Sequence, residues 1–120
     1  MADRFECAIQ ALLGRQLGAV TFVQDYWQLA FDGPLLTIFT TISVYSDEGQ
    51  ASVEHRDFRN QLCGCIAKIV SSATFTDGKS LVLTFDSGSR IEISLRDCDY
   101  VVTEGLMFDT GVKGLPLYIL

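Results

Sequence analysis

Hydrophobic and polar residues alternate along residues 73–95, and this alternation predicts three short antiparallel strands. Two tight turns, Asp77-Gly78 and Asp86-Ser87-Gly88, separate the strands. One side of the predicted meander is apolar and the other is mixed, as expected when one face covers a core and the other meets water. The apolar side consists of Leu81, Leu83, Phe85, Ile91, Ile93 and Leu95.

Two other stretches carry apolar residues at i, i+4, i+7 and i+8, the spacing of an amphipathic helix. The first follows Asp3, a predicted N-cap, and runs from Phe5 to Leu13. The second covers residues 55–68 and contains Phe58. Further strands are predicted at residues 19–23, 27–31 and 35–45, and the polar segment 46–52 is predicted to be a loop.

These helix and strand patterns occur twice, 53 to 55 residues apart. Aligning Phe22 with Phe75 also places Phe5 on Phe58 and the Leu-x-Phe-Asp segment 29–32 on 83–86. The sequence therefore predicts an α+β fold made by internal duplication of a helix–three-strand meander unit. It would have about six mostly antiparallel strands and two helices in a single domain, with units at 3–45 and 55–97 and a C-terminal arm at 98–120. One continuous sheet, two packed sheets and a partial barrel all remain open.

The two units differ at positions that suggest a contact site. Tyr26 stands where the second unit has a plain turn and is predicted at a loop tip. Trp27 aligns with Leu81, so it is predicted either to face the core or to make contacts. The strand over 35–45 is apolar on both faces, because Leu35, Phe39 and Tyr45 lie opposite its main apolar side. The arm ends in an apolar Leu-Pro-Leu-Tyr-Ile-Leu segment that is expected to cover a sheet edge or a dimer interface. The candidate contact residues are Tyr26, Trp27, Leu35, Phe39, Tyr45 and Tyr118.

Several other residues are of types found in catalytic or metal sites, but their positions have simpler structural explanations. Cys63 and Cys65 lie two apart on a predicted helix, so their side chains diverge and cannot share a metal, and Cys65 falls on a core position. His55, the only histidine, is predicted at an exposed helix start. Asp32 and Asp86 each occupy a hairpin turn, where aspartate stabilises the turn itself. The sequence therefore predicts no catalytic residues, no metal site and no cofactor.

The net charge and the hydrophobicity of the sequence narrow the classes of possible binding partner and the expected location. The net charge of −6 excludes a typical nucleic-acid binder and favours a protein partner or a small cationic ligand. No apolar run approaches the roughly 20 residues that span a membrane. No secretory signal pattern is present, so we expect a cytoplasmic protein with reduced cysteines.

Four segments resemble a set of small, mostly uncharacterised bacterial proteins, including ones carried on mobile gene cassettes. The segments are Phe31-Asp-Gly-Pro, residues 56–66, residues 83–88 and residues 93–101. Some similar small acidic proteins are grouped with immunity-type proteins that neutralise toxins. The resemblance implies a fold and no catalytic residues.

Three functional hypotheses follow. The first is a non-catalytic binding or interaction protein, for which homodimer formation and an immunity-like role are both open. The second is a small-molecule binder with an aromatic pocket between the two halves, lined by residues such as Trp27, Phe31 and Phe85. The third is an enzyme of a type that sequence motifs do not reveal.

Overall fold

The structure, a computed structural model, describes residues 2–46, 49–52, 57–100, 102–115 and 117–120, which form an α+β fold. The described helices are α1 (Ala2–Ala8), which continues into a 3-10 turn (Ile9–Leu12), and α2 (Phe58–Cys63). The described strands are β1 (Ala19–Val23), β2 (Tyr26–Ala30), β3 (Leu35–Ile38), β4 (Ile42–Ser46), β5 (Gly49–Ser52), β6 (Val70–Thr76), β7 (Ser80–Phe85), β8 (Arg90–Ser94), β9 (Leu106–Asp109) and β10 (Tyr118–Ile119). There are thus ten described strands rather than about six. The predicted roles of His55 and of the Asp3 side chain lie outside the described part of the chain.

The described strands form two antiparallel sheets of five strands each. Sheet 1 has the order β1-β2-β3-β9-β10, and sheet 2 has the order β6-β7-β8-β4-β5. Each sheet therefore combines a three-strand meander from one half of the chain with two strands from the other half. Of the arrangements left open by the sequence, this is the one with two sheets.

The prediction of one strand over residues 35–45 is wrong. Leu36 of β3 pairs with Phe108 in sheet 1, whereas Val44 of β4 pairs with Ile91 in sheet 2. Leu36, Ile38, Ile42 and Val44 are all buried, so the alternation continues across the break and conceals it. The crossing segment is tied to both sheets by Phe39 N–H donating to Gly105 O and by Ser94 N–H donating to Thr41 O, each at 2.9 Å.

The two halves meet directly where each helix gives way to the first strand of its meander. Gln16 forms an antiparallel bridge with Ile69, which lies 53 residues further along the chain. The flanking hydrogen bonds are equivalent in the two halves: Leu17 N–H donates to Lys68 O at 3.0 Å, and Val70 N–H donates to Arg15 O at 2.9 Å.

A sharp turn precedes this contact in both halves. Gly14 and Ala67 both have left-handed backbone conformations, with φ of +80° and +76°. Their N–H groups donate to equivalent acceptors, Val70 O at 2.9 Å and Leu17 O at 2.8 Å respectively. The turn ends each helical segment earlier than the apolar spacing predicts, which leaves Leu13 and Ile66 about 40 % exposed instead of buried.

One apolar core joins the inner faces of both sheets to the helices. Phe5 of α1 is fully buried and makes edge-to-face contacts with Phe75 of sheet 2 at 4.9 Å and Phe108 of sheet 1 at 6.1 Å between ring centroids. Phe58 of α2 contacts Trp27 in the same way at 6.0 Å. The helical stripes predicted around Phe5 and Phe58 thus do face the core, and each buried phenylalanine contributes about 1.5–3 kcal/mol.

A candidate interaction surface on the first sheet

The outer face of sheet 1 follows from strand alternation. Along β3, Leu36 and Ile38 are fully buried, whereas Leu35 and Thr37, which alternate with them, are half-buried and point away from the core. No described helix is placed on this side, because α1 and α2 pack against residues of the inner face. The outer residues of sheet 1 are therefore available for contact.

Two of the predicted contact residues meet on this face. Trp27 pairs with Ile38, which sets Tyr26 beside Phe39, and their ring centroids lie 5.3 Å apart. Tyr26 is the first residue of β2 rather than a loop tip, and both rings are half-buried. The aromatic pair is therefore held by the sheet and not by a flexible turn.

Two residues of the C-terminal arm extend the same surface. Thr37 pairs with Met107 on β9, and Met107 pairs with Ile119 on β10. Sequence reasoning missed both residues, although the alternation in Leu-Met-Phe-Asp (106–109) was a signal for Met107. We call this surface the apolar face; its apolar members are Val23, Tyr26, Ala30, Leu35, Phe39, Met107 and Ile119.

The equivalent face of sheet 2 is polar at three of these positions. The outer positions of β3 correspond to those of β8, so that Leu35 and Phe39 are replaced there by Arg90 and Ser94. Met107 of β9 is likewise replaced by Ser43 of β4. Five strands about 4.8 Å apart and about four residues long give each face an area of about 300 Å². The two sheets thus differ in surface chemistry at these three positions, although sheet 2 has Val82 and Tyr45 where sheet 1 has Gln28 and Asp109.

The remaining predicted contact residues lie elsewhere. Trp27 points inward and is half-buried against Phe58. Tyr45 lies on the outer face of sheet 2, where the Arg90 guanidinium sits 4.1 Å from its ring centroid and Gln50 donates a hydrogen bond to its hydroxyl at 3.1 Å. Tyr118 points inward, toward Phe5 at 6.3 Å between ring centroids. Of the six predicted residues, the structure therefore brings together Tyr26, Leu35 and Phe39.

A separate cleft of about 550 Å³ lies between α1 and the C-terminal arm, and Tyr118 forms part of its wall. The cleft is lined by Arg4, Cys7, Ala8, Ala11, Thr110, Val112, Leu115 and Tyr118. Its lining contains one charged side chain, that of Arg4. Phe31 and Phe85, which were predicted to line a pocket between the two halves, are buried in the core, and neither lines this cleft.

Cys65 and the turn aspartates have structural positions, whereas Cys7, Cys63 and Cys98 are exposed. Cys65 is buried, its Sγ lies 3.7 Å from Gln61 O, and burial raises the pKa of its thiol. Asp32 has a φ of +58°, a turn conformation, and Asp86 N–H donates to Ile69 O at 2.8 Å. Within the described ranges, His, Cys, Asp and Glu do not form a group of three or more that could hold a metal ion.

Comparison with known proteins adds no relative. Scans against protein-family models, curated proteins and solved structures each found no match. Among the described helices, none is long and apolar enough to cross a membrane.

Proposed function

We propose that this protein is a non-catalytic binding protein and that its contact surface is the apolar face of sheet 1. The observation that carries the proposal is the contrast between the two sheets. At equivalent outer positions, sheet 2 has Arg90 and Ser94 whereas sheet 1 has Leu35 and Phe39. Because the polar residues are compatible with this sheet topology, folding alone does not require the apolar ones. The largest apolar patch of a soluble protein is often a functional surface, so a face of about 300 Å² that is rich in apolar side chains is a candidate contact site.

The charge around the apolar face bears on the chemistry of its partner. Asp25 is exposed at the β1–β2 turn, and Asp109 is exposed beside Leu35 on the neighbouring strand. Together with the net charge of −6, these carboxylates favour a partner that has an apolar centre and a basic rim. A toxin neutralised by an immunity-type protein would fit this description, and so would another basic protein.

The test is affinity capture from the source cell with a variant designed from the protein's own second sheet. Leu35→Arg with Phe39→Ser places on sheet 1 the residues that sheet 2 has at the same positions. Loss of two central apolar anchors should weaken partner binding by about 30-fold or more, which corresponds to about 2 kcal/mol. Binding of the recovered partner to each purified variant measures the change.

A matched control is Val82→Gln, a substitution on the outer face of sheet 2 at the position equivalent to Gln28. It should bind like the wild type. Thermal unfolding of all variants verifies that they fold. Equal partner binding by the double variant and the wild type would refute the apolar face as the contact surface.

The cleft supports a second candidate function, small-molecule binding. Its volume of about 550 Å³ is in the range of small-ligand sites, and it lies between helix α1 of the first half and residues 110–118 of the second. Since Arg4 is the charged residue of its lining, an anionic amphiphile fits the cleft better than the cationic ligand that net charge favours.

Thermal-shift measurements with octanoate and octylamine test this second candidate. Stabilisation by octanoate that is lost in Ala11→Trp, which fills the cleft, would support it. No stabilisation by octanoate, or stabilisation that survives Ala11→Trp, would count against it.

We also propose that the two halves arose by duplication of one helix-and-strand unit whose last two strands cross to the other half. The equivalent strand orders of the sheets support this proposal. The paired hydrogen bonds around Gln16 and Ile69 and the shared left-handed turn at Gly14 and Ala67 support it as well. On this view the arm at 98–120 belongs to the second unit, as β4 and β5 belong to the first.

A further inference from the structure

We infer that β1 is a self-pairing edge, at which two copies of the chain join their first sheets into one antiparallel sheet. The occupant of the edge is thus a second copy of this protein. The inference rests on the proposed function only in that sheet 1 is the contact sheet, and it is tested by different residues.

The two sheets differ at their meander edges, β1 and β6. On β6, the carbonyl of Ala73 accepts a hydrogen bond from Gln10 Nε2 at 3.0 Å, so this carbonyl points away from β7 and is already satisfied. The equivalent residue on β1 is Val20, and the residue equivalent to Gln10 is Cys63. A cysteine side chain is too short to reproduce this bond, and no described side chain donates to Val20. An edge that offers unpaired backbone groups is a template for another strand.

The sequence of β1 is complementary to itself in antiparallel pairing. With Thr21 opposite Thr21 of the second copy, Val20 faces Phe22 and Ala19 faces Val23. Pairs of aromatic with β-branched residues and pairs of threonines stabilise antiparallel strands. Such a symmetric contact closes as a dimer rather than growing into a fibre.

Charge and area fit a weak, reversible dimer. None of the five residues of β1 is charged, so pairing places no like charges opposite each other, although each chain carries −6. One strand pair buries much less than the roughly 800 Å² per partner of a stable complex, so backbone hydrogen bonds supply most of the affinity. The apolar faces of the two copies would then lie on the same side of one continuous ten-stranded sheet and form a larger contact surface.

The experiment is sedimentation equilibrium of the purified chain at concentrations from about 10 μM to about 1 mM, the range of such weak contacts. Thr21→Lys places two ammonium groups across the symmetry axis, and Cys63→Gln introduces on β1 the side chain that covers β6. Each should raise the dimer dissociation constant at least about fivefold. Thr74→Lys, the same exposed substitution at the equivalent position of β6, should leave it unchanged.

The outcomes separate the inference from the proposed function. Edge pairing would be overturned if the wild-type chain stays monomeric over the whole concentration range. It would also be overturned if Thr21→Lys and Cys63→Gln form dimers as strong as those of the wild type. Dimers lost in Leu35→Arg/Phe39→Ser but kept in Thr21→Lys would show that copies meet through the apolar face, and would also overturn it. Partner capture lost in the double variant while the dimer persists supports both, since the two surfaces then act independently.

Discussion

Ala67→Gly should stabilise this protein, although glycine usually weakens a fold. Ala67 is held at a φ of +76°, a conformation that costs a residue with a Cβ about 1–2 kcal/mol. Glycine removes that cost but adds conformational freedom to the unfolded chain, which lowers stability by about 0.4–1 kcal/mol. The Ala67 side chain is exposed, and both hydrogen bonds of this residue involve backbone atoms that glycine retains. The expected net gain in the free energy of unfolding is about 0.5–1 kcal/mol.

Urea unfolding followed by circular dichroism measures this gain. With a urea dependence of about 1.5 kcal/mol per M, the midpoint should rise by about 0.3–0.7 M. Gly14→Ala is the reverse experiment at the equivalent turn and should lower the midpoint similarly, because no atom lies within 4 Å of the added Cβ and the effect is confined to the backbone. Ala11→Gly, an exposed residue of the 3-10 turn, should also lower it. A midpoint for Ala67→Gly at or below the wild-type value would refute the reasoning.

Three further predictions follow from the core and the topology. Phe5→Ala should destabilise the protein by about 3–5 kcal/mol in urea unfolding, because it leaves a cavity at the junction of both sheets. Leu13→Ala should cost less than about 1 kcal/mol, because Leu13 is 42 % exposed. Equal losses of stability in the two variants would contradict the burial argument. Burial raises the pKa of the Cys65 thiol, so the stability that the protonated thiol contributes is present below the unfolded thiol pKa of about 8.5 and is lost as pH rises through the folded pKa. A thiol reagent at pH 8 should modify the three exposed cysteines well before Cys65. Equal modification rates for all four cysteines would contradict this. Co-expression of the chain as two polypeptides divided between Ser52 and Asp57 should give a folded 1:1 complex. Either half alone should lack cooperative thermal unfolding, since each sheet needs strands of both halves. Cooperative unfolding of one isolated half would contradict this prediction.

The local elements of this fold were predictable wherever a simple pattern coincided with a clear turn. The structure confirms the three strands β6, β7 and β8. They were predictable because their alternation is clear and because the Asp77-Gly78 turn separates β6 from β7. The crossing between β3 and β4 was not predictable, because Leu36, Ile38, Ile42 and Val44 keep one alternation through it. Which strands pair across such a break depends on contacts with β8 and β9, whose paired residues lie 45 or more positions away in the chain.

The candidate site was predictable in part for the same reason. Leu35 and Phe39 stood out because they are apolar on the side of β3 that should meet water, and the structure sets Tyr26 on the same face in contact with Phe39. Met107 and Ile119 were missed because nothing local links them to β3. Tyr45 was grouped with Leu35 only because both were assigned to one strand, and the crossing places Tyr45 in the other sheet. Aromatic character alone did not distinguish Trp27 and Tyr118, which face inward, from surface contacts.

The exchange of strands between halves also sets the order in which the molecule can be completed during synthesis. A chain made from the N-terminus can finish sheet 2 once β8 has emerged at Ser94, because β4 and β5 are already present. Sheet 1 begins earlier, with β1, but must wait for β9 at Leu106 and for β10. During that interval the β1–β3 meander carries apolar residues on both sides and lacks two neighbouring strands. The sheet whose strands are synthesised first is thus the last to be completed, and the nascent chain is most exposed to aggregation in the sheet that carries the proposed contact surface.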